Sequence, residues 1–391
     1  MRLTFLNSIG LNHDPFATPV AEQEASSVDD IPTLYSYYLH PKLTSIGDLI
    51  ITEKALRQME KNLFIYGEPG DGKTTSRLVL EAECRTQIEK TLAVTYLLGE
   101  DIERPLTLEE HGARLAKAIA IDLFIQVIEQ FNPADQPVNN KRIEVLKKQV
   151  ALGGRHIQRL TRLILDNNIP NARAGLGAYW RNVGICPVQY VPKTDAIVEL
   201  LQKCLEKSRE KEHLTGWDLV AQGLYAARLW GFKRILVMVD GVDTRQRTPK
   251  AMGQLLEPLF EKLAGLTAQD VYFRFFLPLE IKKPVERILR KHKRLQNYKY
   301  IPIMIKWQED SLRRLLVQRF FAAGSHIDGL DVLAERNLNI DEKLVSAANG
   351  SPRRLLQLVS DLIDVYVTHK PDETRITAPD WRNMLENRTY D

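Results

Sequence analysis

The stretch Gly67-Glu68-Pro69-Gly70-Asp71-Gly72-Lys73-Thr74 constrains this chain more than any other. It stands between a short apolar, β-prone run at 62–66 and a segment reaching residue 90 in which Leu78, Val79 and Ala82 recur at helical spacing. A strand, a glycine-rich turn and a helix in that order oblige the chain to cross over before its next strand can pair. That connection belongs to a parallel sheet covered by helices.

The same spacing explains what the turn can do. In G-x-x-x-x-G-K-[ST] the glycines let backbone N–H groups turn inward around phosphate oxygens, and the following helix adds the positive end of its dipole. Lys73 then reaches the β- and γ-phosphates, the Thr74 hydroxyl ligates Mg²⁺, and Thr75 reaches the α-phosphate. Gly67, Glu68, Pro69, Gly70, Asp71, Gly72, Lys73, Thr74 and Thr75 are thus the expected nucleotide contacts, with ATP and Mg²⁺ as ligands. Such a loop also needs a carboxylate at the tip of a neighbouring strand to hold the water shell of the metal. Asp240 closes the apolar run 235–239 and is the candidate.

Further along, 91–98 reads as a strand and 108–130 as a long helix with Leu115, Ala118, Ile119, Leu123 and Val127 at three- and four-residue intervals. A helix at 217–230, a strand at 234–239, a helix near 250–264, a strand at 271–276, a basic helix at 283–293 and a strand at 298–305 complete the alternation. The expected fold class is α/β, a parallel five-stranded sheet sandwiched by helices. Residues 132–215 are helical but polar and are interrupted by glycine and proline, so they read as a helical insertion within a core spanning 46–306. Residues 307–391 turn wholly helical and form a lid subdomain, and 1–45 form a leader that packs on the core.

Apolar residues are 44% and charged residues 27% of the chain, which excludes a wholly disordered polymer. Cys84, Cys186 and Cys204 are scattered and odd in number, so they make neither a disulfide framework nor a zinc site. Neither a secretory leader nor an apolar run of about 20 residues is present, which points to the cytoplasm and to no membrane partner. His111, His156 and His213 lack ligand spacing, and Trp180, Trp217, Trp230 and Trp307 read as core or interface residues.

Taken with the loop, Leu11-Asn12-His13-Asp14-Pro15-Phe16, Asp240-Gly241-Val242-Asp243, Phe275-Phe276-Leu277-Pro278 and Gly350-Ser351-Pro352-Arg353 resemble the bacterial AAA+/STAND-like P-loop ATPases. The leader is similar to that of secretion ATPases and transposition regulators, and the lid to that of origin-recognition ATPases. The resemblance implies that Lys73, Asp240, Asp243 and Arg353 are catalytic, with Thr74 and Asp240 on the metal. Arg353 would sense the γ-phosphate and Asp243 would polarise the attacking water, with Glu280 as a second candidate. Two departures accompany it. Gly241 stands where many relatives place a catalytic glutamate, and the strand at 271–277 lacks a polar first sensor. Slow or partner-stimulated hydrolysis follows, in a homo-oligomer that acts on a separate effector or target protein through the helical region 101–232.

One segment keeps several readings. Between 282 and 294 seven lysines and arginines face the single Glu286. Arg290 or Arg294 could enter a neighbouring subunit's site as a finger, as the resemblance suggests. The segment could equally lie along the phosphates of DNA or RNA, making the protein a DNA-binding ATPase regulator in rings or filaments, or be a solvated basic face.

Overall fold

The computed structural model describes residues 1–17, 34–45, 50–86, 90–132, 139–166, 194–206, 214–244, 247–291, 300–324, 326–369 and 375–388. In chain order the elements are α1 (Arg2–Ser8), α2 (Leu34–Tyr37), β1 (Lys42–Ser45), β2 (Ile50–Ile51), α3 (Glu53–Gln58), β3 (Leu63–Gly67), α4 (Lys73–Thr86), β4 (Thr91–Leu97) and α5 (Leu108–Glu129). There follow α6 (Asn140–Gly153), α7 (Arg155–Leu165), α8 (Asp195–Leu205), α9 (Gly216–Leu229), β5 (Arg234–Asp240), α10 (Pro249–Thr267), β6 (Val271–Pro278), α11 (Lys282–Lys291) and β7 (Ile301–Lys306). The C-terminal helices are α12 (Glu309–Ala322), α13 (Ile340–Ala348), α14 (Pro352–His369) and α15 (Ala378–Arg388).

The chain is α/β, and among the described residues its sheet has seven strands in the order β2-β1-β7-β3-β6-β5-β4. β4 pairs with β5 and β5 with β6 in parallel register, whereas β1 and β2 are antiparallel. The five expected strands are β3 to β7; the count of five is corrected by β1 and β2. Those two have four and two residues, too short for a period-2 pattern to show. A second correction concerns Asp240. Its strand does not neighbour β3, because the chain crosses from β3 to the sheet edge at β4 and then fills inward through β5 and β6.

The residues divide into two compact units, one of Met1–Ile51, Gly67–Ser76 and Met304–Asp391, the other of Thr52–Tyr66 and Arg77–Ile303. In the first, Leu6, Leu11 and Phe16 share one apolar cluster with Leu316, Phe320, Leu355, Val359 and Leu362. Polar contacts fix the leader there: Arg2 Nε donates to Asp14 at 2.6 Å, Arg319 Nη1 donates to Pro15 O at 2.8 Å, and Phe16 meets Phe320 edge-on.

In the second unit α5 is buried over most of its length, as expected of a helix apolar nearly all round. Two of its buried polar residues, Gln126 and Asp122, serve the backbone of β4, the strand at the end of the sheet order. Gln126 exchanges hydrogen bonds with Ala93 N and O, at 3.1 and 2.6 Å, and Asp122 accepts from Thr95 N at 2.8 Å. A strand edge that would otherwise be open is thereby closed by side chains. α5 also approaches α9 closely: a Cβ added at Gly112 would lie 2.8 Å from the Gly216 carbonyl carbon.

Arg274, in the middle of β6, is fully buried. Its guanidinium donates to the carbonyls of Leu56, Met59 and Lys61, each at 2.6 Å, and to Phe273 O at 3.2 Å. Two of these carbonyls, those of Met59 and Lys61, lie in the turn that leads from α3 into β3. Burial pushes the Arg274 pKa down to about 9.

His111 joins three elements. Its Nε2 faces Leu255 O on α10 at 2.8 Å and must therefore carry the proton; Nδ1 then accepts from the Tyr96 hydroxyl on β4 at 2.7 Å. Burial lowers its pKa from the usual 6.5. With the folded value below the unfolded one, protonation opposes folding, so this contribution is complete above about pH 6.5 and is lost as pH falls below it. The urea midpoint of the native chain should therefore exceed that of a His111→Gln variant by less at about pH 5 than at about pH 7. A difference that stays constant across that range would remove His111 from the pH response.

Candidate functional site

In the first unit the glycine-rich loop folds on itself. The Glu68 N–H donates to Asp71 Oδ2 at 2.7 Å and the Asp71 N–H to Glu68 O at 3.2 Å, closing a tight turn. Gly70 and Gly72 have φ of +93° and +85°, the left-handed region that glycine enters without a Cβ clash. Lys73 is buried, and its ammonium donates to Gly67 O and Glu68 O at 3.1 Å each. Asp71 is buried as well. Desolvation raises its pKa first of all, and the Glu68 N–H and Lys73 pull it back. Thr74 and Thr75 are half-buried in the first turn of α4, while Glu68 and Pro69 are exposed.

The Gly-Ser-Pro-Arg turn belongs to the same unit and packs on this loop. The Arg353 N–H points at Gly70 O at 3.4 Å, and a Cβ at Gly70 would lie 2.9 Å from Ser351 Oγ and 3.0 Å from Arg353 Cβ. Pro352 opens α14 at a position where its missing N–H has no consequence. The Arg353 side chain is exposed. Trp307, just past β7, donates from Nε1 to Asp71 O at 2.9 Å. An isolated tryptophan after a strand carries no signal that it will brace a loop.

In the second unit Asp240 ends β5 and is buried. Its Oδ2 accepts from Arg77 Nε at 2.9 Å and its Oδ1 from the Gly241 N–H at 2.8 Å. Arg77, one helical turn after Lys73, is 1% exposed and also lies 3.7 Å from Glu81. Glu81 in turn accepts from Arg85 at 3.1 Å, and Arg85 makes a two-pronged pair with Glu129 on α5. A row of alternating charge, Asp240, Arg77, Glu81, Arg85 and Glu129, therefore runs along α4. Burial raises the pKa of Glu81 and, further, of Asp122 beside it. Arg77 escaped sequence reasoning; its clue was the four-residue spacing that puts it in phase with Lys73, Glu81 and Arg85 on α4.

Asp243 is exposed two residues beyond Gly241. Arg247 gathers the loops after β4 and β5, donating to Val242 O at 3.2 Å, to Ile102 O at 2.7 Å and to Leu98 O and Gly99 O. Glu280 is exposed just after β6. Arg290 is exposed on α11, 4.0 Å from Glu286. Arg294 and Lys293 lie outside the described residues, as do Cys186, Trp180 and His213.

The donor set fits a polyphosphate. The loop offers turned N–H groups and an ammonium, and Ser76 Oγ, buried one turn into α4, has no hydrogen-bond partner among the described residues. Asp240 suits a hard cation, since two of the roughly four acceptor positions of a carboxylate are taken. Among the described residues no cluster of three or more His, Cys, Asp or Glu could hold a metal by itself. No helix among the described residues is long and apolar enough to cross a membrane. No protein-family model matches the chain, and no curated protein matches it either.

Two variants probe these arrangements. Gly70→Ala forces an L-residue into positive φ and a methyl against Ser351; we expect a loss of about 1–2 kcal/mol and faster amide exchange at 350–355, and unchanged exchange there would mean the loop and turn do not support each other. Arg77→Met leaves the buried Asp240 carboxylate without its cation partner and should cost roughly 3–5 kcal/mol. Combined with Asp240→Asn it should cost less than the two single changes added together, and strict additivity would show that the pair is not coupled.

Proposed function

We propose that this chain is an ATP-binding and slowly hydrolysing AAA+/STAND-like P-loop ATPase. In this reading it works in the cytoplasm as a nucleotide-dependent switch that assembles with itself and recruits a separate partner protein. The observation that carries the reading is the packing of the G-x-x-x-x-G-K-T loop against the Gly-Ser-Pro-Arg turn inside one compact unit, with Arg353 N–H directed at Gly70 O.

Each residue then has a task. Gly67, Gly70 and Gly72 admit the phosphates, and Lys73 exchanges the carbonyls of Gly67 and Glu68 for β- and γ-oxygens. Thr74 and Asp240 are assigned the metal and Thr75 the α-phosphate. When bound, Mg²⁺ neutralises charge developing on the β- and γ-oxygens. Asp243 orients water, and with glycine at 241 no glutamate assists it, so turnover is slow. Arg353 is the sensor. Its backbone already touches the loop, and a charge-assisted contact from its exposed guanidinium to a terminal phosphate would exist before hydrolysis and vanish after it. The helices that follow α14's first turn would then report the nucleotide state.

The test is binding of a fluorescent ATP analogue with Mg²⁺, followed by phosphate release and size-exclusion chromatography. Lys73→Ala should weaken binding at least tenfold, abolish multiple-turnover release and remove any nucleotide-dependent rise in apparent mass. A native chain that ignores the analogue would sink the reading.

A further inference from the structure

The second unit carries a cationic face that the proposed ATPase does not use. Helix α7 buries Ile157, Leu160, Thr161 and Ile164 and exposes Arg155, Gln158, Arg159 and Arg162. The three arginines stand at i, i+4 and i+7, one row about 10 Å long. Among the described residues none of their guanidinium groups makes a hydrogen bond or an ion pair. Lys117, exposed on α5, comes to the same place: burial first, and then Lys117 and Arg155, hold the His156 imidazole below its usual pKa.

Four other surface cations of this unit, by contrast, are matched with acids. Arg104 pairs with Glu110, Arg114 with Asp101, Lys147 with Glu206 and Lys203 with Glu199. On α7 the charges are arranged against the helix's own stability. Arg155 occupies the first turn, where the dipole disfavours a cation, with neither an acidic residue nor a side-chain cap to offset it. Arg155 and Arg159, and Arg159 and Arg162, are like-charged neighbours on one face. The sequence supplies little relief, since from residue 155 to 193 Asp166 is the only acid.

The chemistry of the row selects its partner. α7 carries no large exposed apolar side chain, so it lacks the hydrophobic centre around which a protein interface forms. Planar guanidinium groups bind phosphate oxygens in two-pronged fashion, and a row of about 10 Å matches the rise of about three nucleotides. We infer that α7, with Lys117, docks the sugar-phosphate backbone of a nucleic acid without reading its bases. This site differs from the basic segment 282–294 singled out in the sequence, and it does not depend on the ATPase reading.

Fluorescence anisotropy with a labelled duplex and a labelled single strand, over a salt series and without added nucleotide, tests it. The native chain should bind both, with affinity falling steeply as salt rises. The variant R155Q/R159Q/R162Q should bind the duplex at least tenfold more weakly at low salt and flatten the log–log salt slope by about two to three, at roughly 0.9 per phosphate contact. A matched variant on α11, K283Q/R287Q/K291Q, should keep the native slope, and R155K/R159K/R162K should retain most of it, which separates charge from any folding defect. Several results would overturn the inference: no salt-dependent binding by the native chain, native affinity in the arginine-to-glutamine variant, or a loss confined to the α11 variant. Equal or tighter binding to polyglutamate or to phosphatidylserine vesicles would do so as well.

Discussion

Arg77 sits between Asp240 and Glu81 where water does not reach, and much of the second unit is arranged around that fact. Alone, a buried guanidinium would be prohibitive; here each charge in the series Asp240, Arg77, Glu81, Arg85, Glu129 is flanked by its opposite. The series already holds three carboxyls to two guanidiniums, Asp122 adds a fourth, and burial raises the pKa of both Glu81 and Asp122. The series also fixes the rotation of α4. Arg77 and Glu81 must face inward, and Lys73, one turn earlier, inherits that phase.

The end strand of the sheet poses a different demand. β4 would leave backbone groups unpaired, and α5 answers with Gln126 and Asp122 in place of another strand. Because the remainder of α5 is apolar, it can be buried against β4 and still receive α9 through Gly112 and Gly223. Glu129 at the end of the same helix completes the charged series along α4.

Much of this architecture could be read from periodicity. The alternation from residue 62 to 305 located β3 to β7 and the helices α4, α5, α9, α10 and α11 to within a few residues, because each is long enough for its pattern to repeat; α6 to α8 read only as one helical, polar stretch. β1 and β2 were not legible, being shorter than one repeat of any pattern. The tight turn at 67–72 between β3 and α4 was readable because its glycines mark it, but its supports were not. Trp307, Ser351 and Arg77 act through distance in space, and their types are equally at home in a core or on a surface. The charged row of α7 was present in the sequence yet hidden among glycines and prolines; only the helical phase, which places Arg155, Arg159 and Arg162 together, makes it a face.

Arg274 offers a last consequence. Among the described residues no acid pairs with it, and its charge rests on carbonyl dipoles from Leu56, Met59, Lys61 and Phe273. The turn at 59–61 displays the exposed Glu60 and Lys61 and so looks permissive, as surface connections usually are. Its backbone is nevertheless spoken for. Lengthening or shortening it by a residue would turn those oxygens away from a guanidinium that has nowhere else to go. The side chains there can drift, while the path of the main chain into β3 cannot.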